Sequence, residues 1–287
     1  MLEFKSSETT TEIIKVPGIS IDIEENIPNT KMKNSDAIAI IIGNRNYQKV
    51  KNVDYALRDA QFMKEYLIKS FGYKKGNVLL IQDATKGEFE TLFGSRGNHK
   101  GRLYNMVKRG KSDVFIYYSG HGAPGVNEKK GYFVPVESDP GYIEIAGYGL
   151  ETLYTNLSKV RARSITVILD ACFSGAGLLE SVSPLTLGIK DHANLIGKNG
   201  LILSSTSGDQ LASWYPEKKH GLFTYYFLEG IQSRRADQNA DGTITYGEMR
   251  DYLSDETEGI PYYARRLHNV EQVPSLYGDE DRVLVKF

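Results

Sequence analysis

Five short runs in this chain are apolar on both alternating faces: DAIAIIIGN (36–44), NVLLIQD (77–83), DVFIYYSGHG (113–122), SITVILDACFSG (164–175) and NGLILSST (199–206). A strand with no polar face must be covered on both sides, which is the signature of a parallel sheet between helical layers. The intervening segments carry helical spacing. VDYALRDAQFMKEYLIKSFGY (53–73) ends in a glycine, and helical stretches are also expected at 86–93, 101–110, 150–162 and 221–233. GYFVPVESD (131–139) reads as a small hairpin and RVLVKF (282–287) as a final strand. Strands alternating with helices predict an α/β sandwich around a mostly parallel sheet. In such sheets ligands bind beyond the carboxyl ends of the strands, so those ends are where chemistry is sought.

Composition removes several alternatives. Hydrophobic residues make up 40% and charged residues 25%, which suits a chain with a core. The net charge of −1 supplies no field toward nucleic acid or an anionic membrane, so neither is an expected partner. A single cysteine in 287 residues excludes an internal disulfide, a CxxC pair and a cysteine-rich zinc site. The opening MLEFKSSETTTE has no signal-peptide pattern, and no apolar run approaches the ~20 residues of a membrane span; a cytoplasmic location is expected. Residues 1–35 read as an amino-terminal arm carrying one edge strand, and residues 36–287 as one domain. The weakly patterned segment 176–199 reads as a loop dividing it into a part about 36–180 and a part about 200–287.

Two strand ends stand out. The third run ends in Ser119-Gly120-His121-Gly122 and the fourth in Asp170-Ala171-Cys172. A thiol becomes a strong nucleophile beside an imidazole that takes its proton, so His121 and Cys172 are the candidate catalytic pair. The glycines around His121 allow a sharp bend and free the Gly122 amide to face a developing oxyanion together with the Cys172 amide. Alone, such a cysteine is usually a small buried hydrophobe and such a histidine an ordinary loop residue. Both at strand ends, in this order, carry the chemical reading. His99, His192, His220 and His268 lack that context and read as surface or structural residues. The tyrosines, 19 in all, read as core or rim.

YYSGHG (117–122) and DACFSG (170–175), with the histidine 51 positions before the cysteine, resemble the caspase-like cysteine peptidases, above all bacterial members and metacaspases. The resemblance runs from about Asp36 to the C-terminus and includes AIAIIIGNRNY, ALRDA, HGLFTYYFLEG and VEQVPSLYG. It implies a caspase-like three-layer α/β/α sandwich around a mostly parallel six-stranded sheet. It also implies a cysteine endopeptidase that forms an acyl-enzyme on Cys172, with a polypeptide as substrate. Where true caspases carry Gln-Ala-Cys and bind an acidic P1 side chain, this chain has Asp170-Ala171-Cys172. By the metacaspase resemblance Asp170 lies on the wall of the primary pocket, with Asp59 as a second acid and Ser119 as a further pocket position. A carboxylate pocket attracts arginine or lysine and repels aspartate, so cleavage after Arg or Lys is expected. Enzymes of this kind are often cut between their two parts, and Lys190 and Lys198 are candidate self-processing sites; some bacterial members stay uncut.

A second motif lies at 237–248. DQNADGTITYGE fits the calcium-loop pattern at every position. Oxygen ligands would come from Asp237, Asn239, Asp241, the Thr243 carbonyl and Glu248, with Thr245 acting through water and Gly242 at the sharp turn. No second loop is present to pair with it. No cofactor is expected for the chemistry; calcium is the one cation expected to bind. Two other readings stay open: a weakly catalytic or non-catalytic signalling module on the same fold, and a related clan of cysteine peptidases. The intact His121–Cys172 pair favours the enzyme. Oligomeric state is not legible.

Overall fold

The computed structural model describes residues 23–125, 130–171, 196–207 and 210–287. Six strands form the central sheet: β1 (Ile38–Gly43), β2 (Val78–Gln82), β3 (Asp113–Ser119), β4 (Ser164–Asp170), β5 (Gly200–Ser204) and β6 (Ser275–Tyr277). Their order across the sheet is β6-β5-β4-β3-β1-β2, and all neighbours are parallel except the β6–β5 edge pair. The mostly parallel six-stranded sandwich expected from the sequence is therefore present.

Alternation along the strands sorts side chains between two helical layers. Ala39, Ile41, Phe115, Tyr117 and Ile168 face a layer containing α1 (Ala56–Lys69). Ile38, Ile40, Ile42, Val114, Ile116 and Tyr118 face the opposite layer with α2 (Lys86–Phe93) and α3 (Leu150–Leu157). The first layer is completed by α4 (Leu222–Gln232), α5 (Tyr246–Leu253) and α6 (Ile260–His268). No helix among the described residues is long and apolar enough to cross a membrane.

The sheet meets α1 at close range. A Cβ on Gly43 would stand 2.5 Å from the Ala56 carbonyl and 2.9 Å from Ala60 Cβ, so only glycine lets the helix approach the end of β1 this closely. That approach brings Asp59, in the first turn of α1, over the carboxyl edge of the sheet.

The observed elements depart from the sequence reading in several places, among them the helix expected at 150–162, which ends at Leu157. Helix α1 begins at Ala56, not 53, because Tyr55 has left-handed backbone with φ 74°. The expected helix at 101–110 is present but shorter, Arg102–Met106, ending before the positive-φ Gly110. The 131–139 hairpin does not form on itself: Gly131–Phe133 pairs with Gly122–Pro124 on one side and Tyr148–Gly149 on the other. Val283–Lys286 is a strand but pairs with Thr243–Thr245, while the edge of the central sheet is β6, whose three residues are too few to show alternation. The β-branched patches of the amino-terminal arm, save Ile23, lie outside the described residues.

Candidate active site

Register brings the two strand ends together. Strands β3 and β4 are adjacent and parallel, with Ser119 paired to Asp170, the last residue of each. The Gly120 N–H donates to the Asp170 carbonyl at 3.4 Å, so the chains leave the sheet side by side. Beyond this edge a cleft of about 300 Å³ is lined by Asp59, Ser119, His121, Gly122, Asp170 and Ala171, among others. Every described residue predicted for catalysis, the oxyanion or substrate binding thus lines one cavity. Cys172 follows Ala171 and lies outside the described residues, as does Lys190; Lys198 is exposed.

His121 is fixed from several directions. Its N–H donates to the Tyr47 hydroxyl at 2.8 Å, and the Tyr118 hydroxyl donates to its carbonyl at 2.6 Å. The Tyr47 ring lies against the imidazole with centroids 4.7 Å apart. Gly120 is needed beneath them, since a Cβ there would stand 2.7 Å from both tyrosine oxygens. Nε2 lies 2.7 Å from the Lys51 carbonyl, which can only accept, so Nε2 carries the proton. The neutral ring therefore has its lone pair on Nδ1. Burial holds the His121 pKa below the ordinary imidazole value, against the opposing Lys51 hydrogen bond, and so favours that neutral base.

Gly122 stands opposite Phe133 in the small antiparallel sheet, and it is the His121 carbonyl that accepts from Val134 N–H, at 3.1 Å. That pattern makes Gly122–Phe133 a non-hydrogen-bonded pair, so the Gly122 amide is not consumed by the ladder.

The acids occupy the other wall. Asp170 is 7% exposed and accepts from the Thr224 hydroxyl at 2.6 Å; the Tyr117 hydroxyl in turn lies 2.6 Å from Thr224 Oγ1. Burial, followed by the Asp59 charge, raises the Asp170 pKa to about 7. Asp59, 1% exposed, accepts from Gly221 N–H at 3.0 Å and faces His220 Nδ1 at 2.6 Å. Burial raises its pKa and His220 opposes the rise. A Cβ on Gly221 would lie 2.7 Å from Asp170 Oδ2 and 3.0 Å from Asp59 Oδ2. The two carboxylates thus converge on one glycine, and any side chain there would fill the space between them.

Several of these residues escaped the sequence reading. His220 and His268 were expected at the surface or in structural roles. His220 is buried against Asp59, and His268 lines the cleft while bonded to the Trp214 carbonyl, so both stand at the site and neither is at a remote surface. Trp214, the sole tryptophan, also lines the cleft. The late tyrosines are core: Tyr215, Tyr226 and Tyr263 pack as one aromatic group on the inner face of α4 and α6. The only available signal was HGLFTYY (220–226), a resemblance segment to which no roles had been attached.

The 237–248 loop lies at the end of α4 remote from the cleft, an 11-residue helix about 16 Å long. Gly242 has φ 82°, as the turn requires. Asp237 accepts from Asp241 and Gly242 N–H groups, Asn239 from Asp241 N–H, and Asp241 from Thr243 N–H. Glu248 closes a capping box with Thr245 through one oxygen, while Oε1 is buried without a hydrogen-bond partner. Among the described residues no group of three or more His, Cys, Asp or Glu side chains is arranged to hold a metal ion.

The family model of the peptidase C14 caspase domain matches residues 36–283. Metacaspase-9 of Arabidopsis thaliana is 28% identical over 150 residues, covering 50% of this chain and 44% of the relative. Metacaspase-1A of Aspergillus oryzae is 25% identical over 176 residues, covering 56% of this chain and 40% of the relative. The chain spans less than half the length of these curated relatives. A crystal structure of a protein from Geobacter sulfurreducens superposes with a TM-score of 0.54 at 14% identity, covering 85% of this chain and 94% of the other, and shows the shared fold.

The orientation of His121 generates a direct prediction. Ring NMR across a pH titration should give a midpoint below the ordinary imidazole value, with the neutral form protonated at Nε2. A midpoint above that value, or a neutral Nδ1–H tautomer, would contradict the arrangement.

Proposed function

The chain belongs to the caspase-domain peptidase family, and from that premise we propose that it is a cysteine endopeptidase cleaving polypeptides after arginine or lysine. In this reading His121 Nδ1 takes the proton of the Cys172 thiol. The thiolate attacks the scissile carbonyl, and the Gly122 and Cys172 amides stabilise the oxyanion. The leaving amine takes a proton from the imidazolium, and water, with His121 as base, hydrolyses the thioester.

One observation carries the specificity: Asp59 and Asp170, both buried, converge on Gly221 in the cleft that His121 also lines. Two carboxyls forced together without water favour a cationic side chain, which relieves both their repulsion and their desolvation. An acidic P1 residue would add a third negative charge. Ser119, which also lines the cleft, is a further pocket contact in this reading. Ala171, the residue before Cys172 in the sequence, lines the cleft. Self-processing at Lys190 or Lys198 follows from the same specificity.

We also propose that residues 237–248 bind calcium. The support is the Gly242 turn, the all-oxygen donor set and the orphaned Glu248 Oε1. The Thr243–Thr245 strand, which a second loop would ordinarily pair with, is paired with Val283–Lys286 instead.

Two outcomes test these readings. Arg- and Lys-P1 peptides should be hydrolysed, Asp-P1 peptides should not, and Cys172→Ala should be inert. Asp170→Asn should lower kcat/KM for Arg-P1 by at least about 30-fold, the ~2 kcal/mol that loss of one partner from a desolvated charge pair costs. The acid limb of wild-type kcat/KM should fall near the Asp170 value of about 7, because protonating the pocket acid removes the charge that binds the cation. A preference for Asp-P1 would overturn the assignment. For calcium, titration calorimetry of the metal-stripped protein should show binding heat that Asp237→Ala abolishes; a flat wild-type isotherm would refute it.

A further inference from the structure

The wall of the acid pocket continues past Asp59 into a chain of alternating charges. His220, 1% exposed, presents both ring nitrogens to carboxylates: Nδ1 to Asp59 Oδ1 at 2.6 Å and Nε2 to Glu24 Oε1 at 2.8 Å. The Glu24 carboxylate is also gripped by the Arg58 guanidinium through Nε and Nη2. Read outward from the cleft, the order is Asp170, Asp59, His220, Glu24, Arg58.

A ring nitrogen at hydrogen-bond distance from an ionised carboxylate must donate, because a lone pair there would face a negative oxygen. A neutral imidazole has one N–H and cannot satisfy two such contacts. The Glu24–His220–Asp59 group therefore holds one proton more than a neutral ring and two carboxylates. Among the described residues, the charged groups that bond His220 or its partners are Asp59 and Arg58 of α1 and Glu24 of the amino-terminal segment, and Lys219 precedes it in the chain. On its own turn, Lys218 sits over the Tyr225 ring, 5.7 Å from its centroid. The edges of His220 are closed by Phe62 at 5.8 Å and Tyr225 at 6.5 Å between ring centroids, so little water competes.

Glu24 is placed rather than dangling. Ile23 beside it is 1% exposed, its carbonyl accepts from the Tyr66 hydroxyl at 2.8 Å, and the Glu25 carbonyl accepts from Gln232 Nε2 at 2.7 Å. Residues 23–25 are thus stapled to α1 and α4, the two helices that frame the pocket acids.

We propose that His220 is a positioning residue of the basic-side-chain pocket, an imidazolium held between Asp59 and Glu24, through which the amino-terminal segment sets the pocket's charge. The proposal rests on the basic-pocket reading above. With His220 cationic, Asp59 is neutralised by its neighbour and Asp170 is left as the single uncompensated acid. That matches one guanidinium or ammonium. Without the imidazolium two unscreened acids face each other and each drives the other toward its protonated form. The two acids then share one proton, and the pocket's single charge is no longer fixed on Asp170.

Ring nitrogen NMR of the full chain, with Glu24→Gln beside the wild type, tests this without relying on turnover. At about pH 7 wild-type His220 should show both nitrogens protonated. In parallel, KM of Glu24→Gln for an Arg-P1 peptide should rise about tenfold, with kcat little changed. A wild-type ring that is neutral at that pH in an enzyme active on Arg-P1 peptides would overturn the positioning role alone. An imidazolium in a protein that cleaves no Arg-P1 or Lys-P1 peptide would overturn the basic-pocket reading and the positioning role with it. An unchanged KM in Glu24→Gln would also refute the role.

Discussion

Two carboxylates buried against one glycine define the demands on this structure. Asp59 comes from a helix, Asp170 from a strand end, and Gly221 from the turn that opens α4, so three distant parts of the chain must meet at one point. Left alone, such a pair would be costly, since neither water nor a counter-ion stabilises the charged form. The surroundings answer in kind. Asp170 receives the Thr224 hydroxyl, backed by Tyr117; Asp59 receives the Gly221 amide and His220. What remains of the strain is visible in the elevated pKa of both acids, and it is the feature a cationic ligand would relieve.

The imidazole on the opposite wall is governed by a different logic. Its orientation depends on backbone and hydroxyl groups; among the described residues no carboxylate bonds its ring. Lys51 contributes only its carbonyl, Tyr47 accepts from the backbone N–H, and Tyr118 donates to the backbone carbonyl. A neutral acceptor behind Nε2 fixes the tautomer while raising the basicity of the ring less than a buried anion would. Base and pocket therefore titrate in opposite directions, His121 held low and Asp170 held high. An acid limb near 7 would belong to substrate recognition and not to the base.

Much of this was legible from residues. The doubly apolar runs specified the parallel sheet, and glycine-flanked His121 at a strand end marked the cleft. Asp170 and Asp59 came from resemblance, and the cleft contains both. What could not be read has physical causes. His220 looked ordinary because its meaning depends on Asp59, 161 positions away, and on Glu24, 196 away. Lys51 acts through a carbonyl, which every residue carries. Tyr47 and Tyr118 act through hydroxyls aimed by the fold, indistinguishable in sequence from the core tyrosines of α4 and α6. The strand β6 was invisible because three residues cannot display a period, and the terminal strand Val283–Lys286 was seen without its partner, which lies in the 237–248 loop.

The central claim is that a nucleophilic Cys172 works beside a pocket for a basic side chain. Alkylation by a peptidyl arginyl chloromethyl ketone, located by mass spectrometry, joins both halves in one readout. A single adduct on Cys172, slowed by excess agmatine as a competing guanidinium and formed much faster than with the aspartyl reagent, is the predicted result. Equal or faster labelling by the aspartyl reagent, or an arginyl adduct that forms elsewhere and spares Cys172, would contradict it.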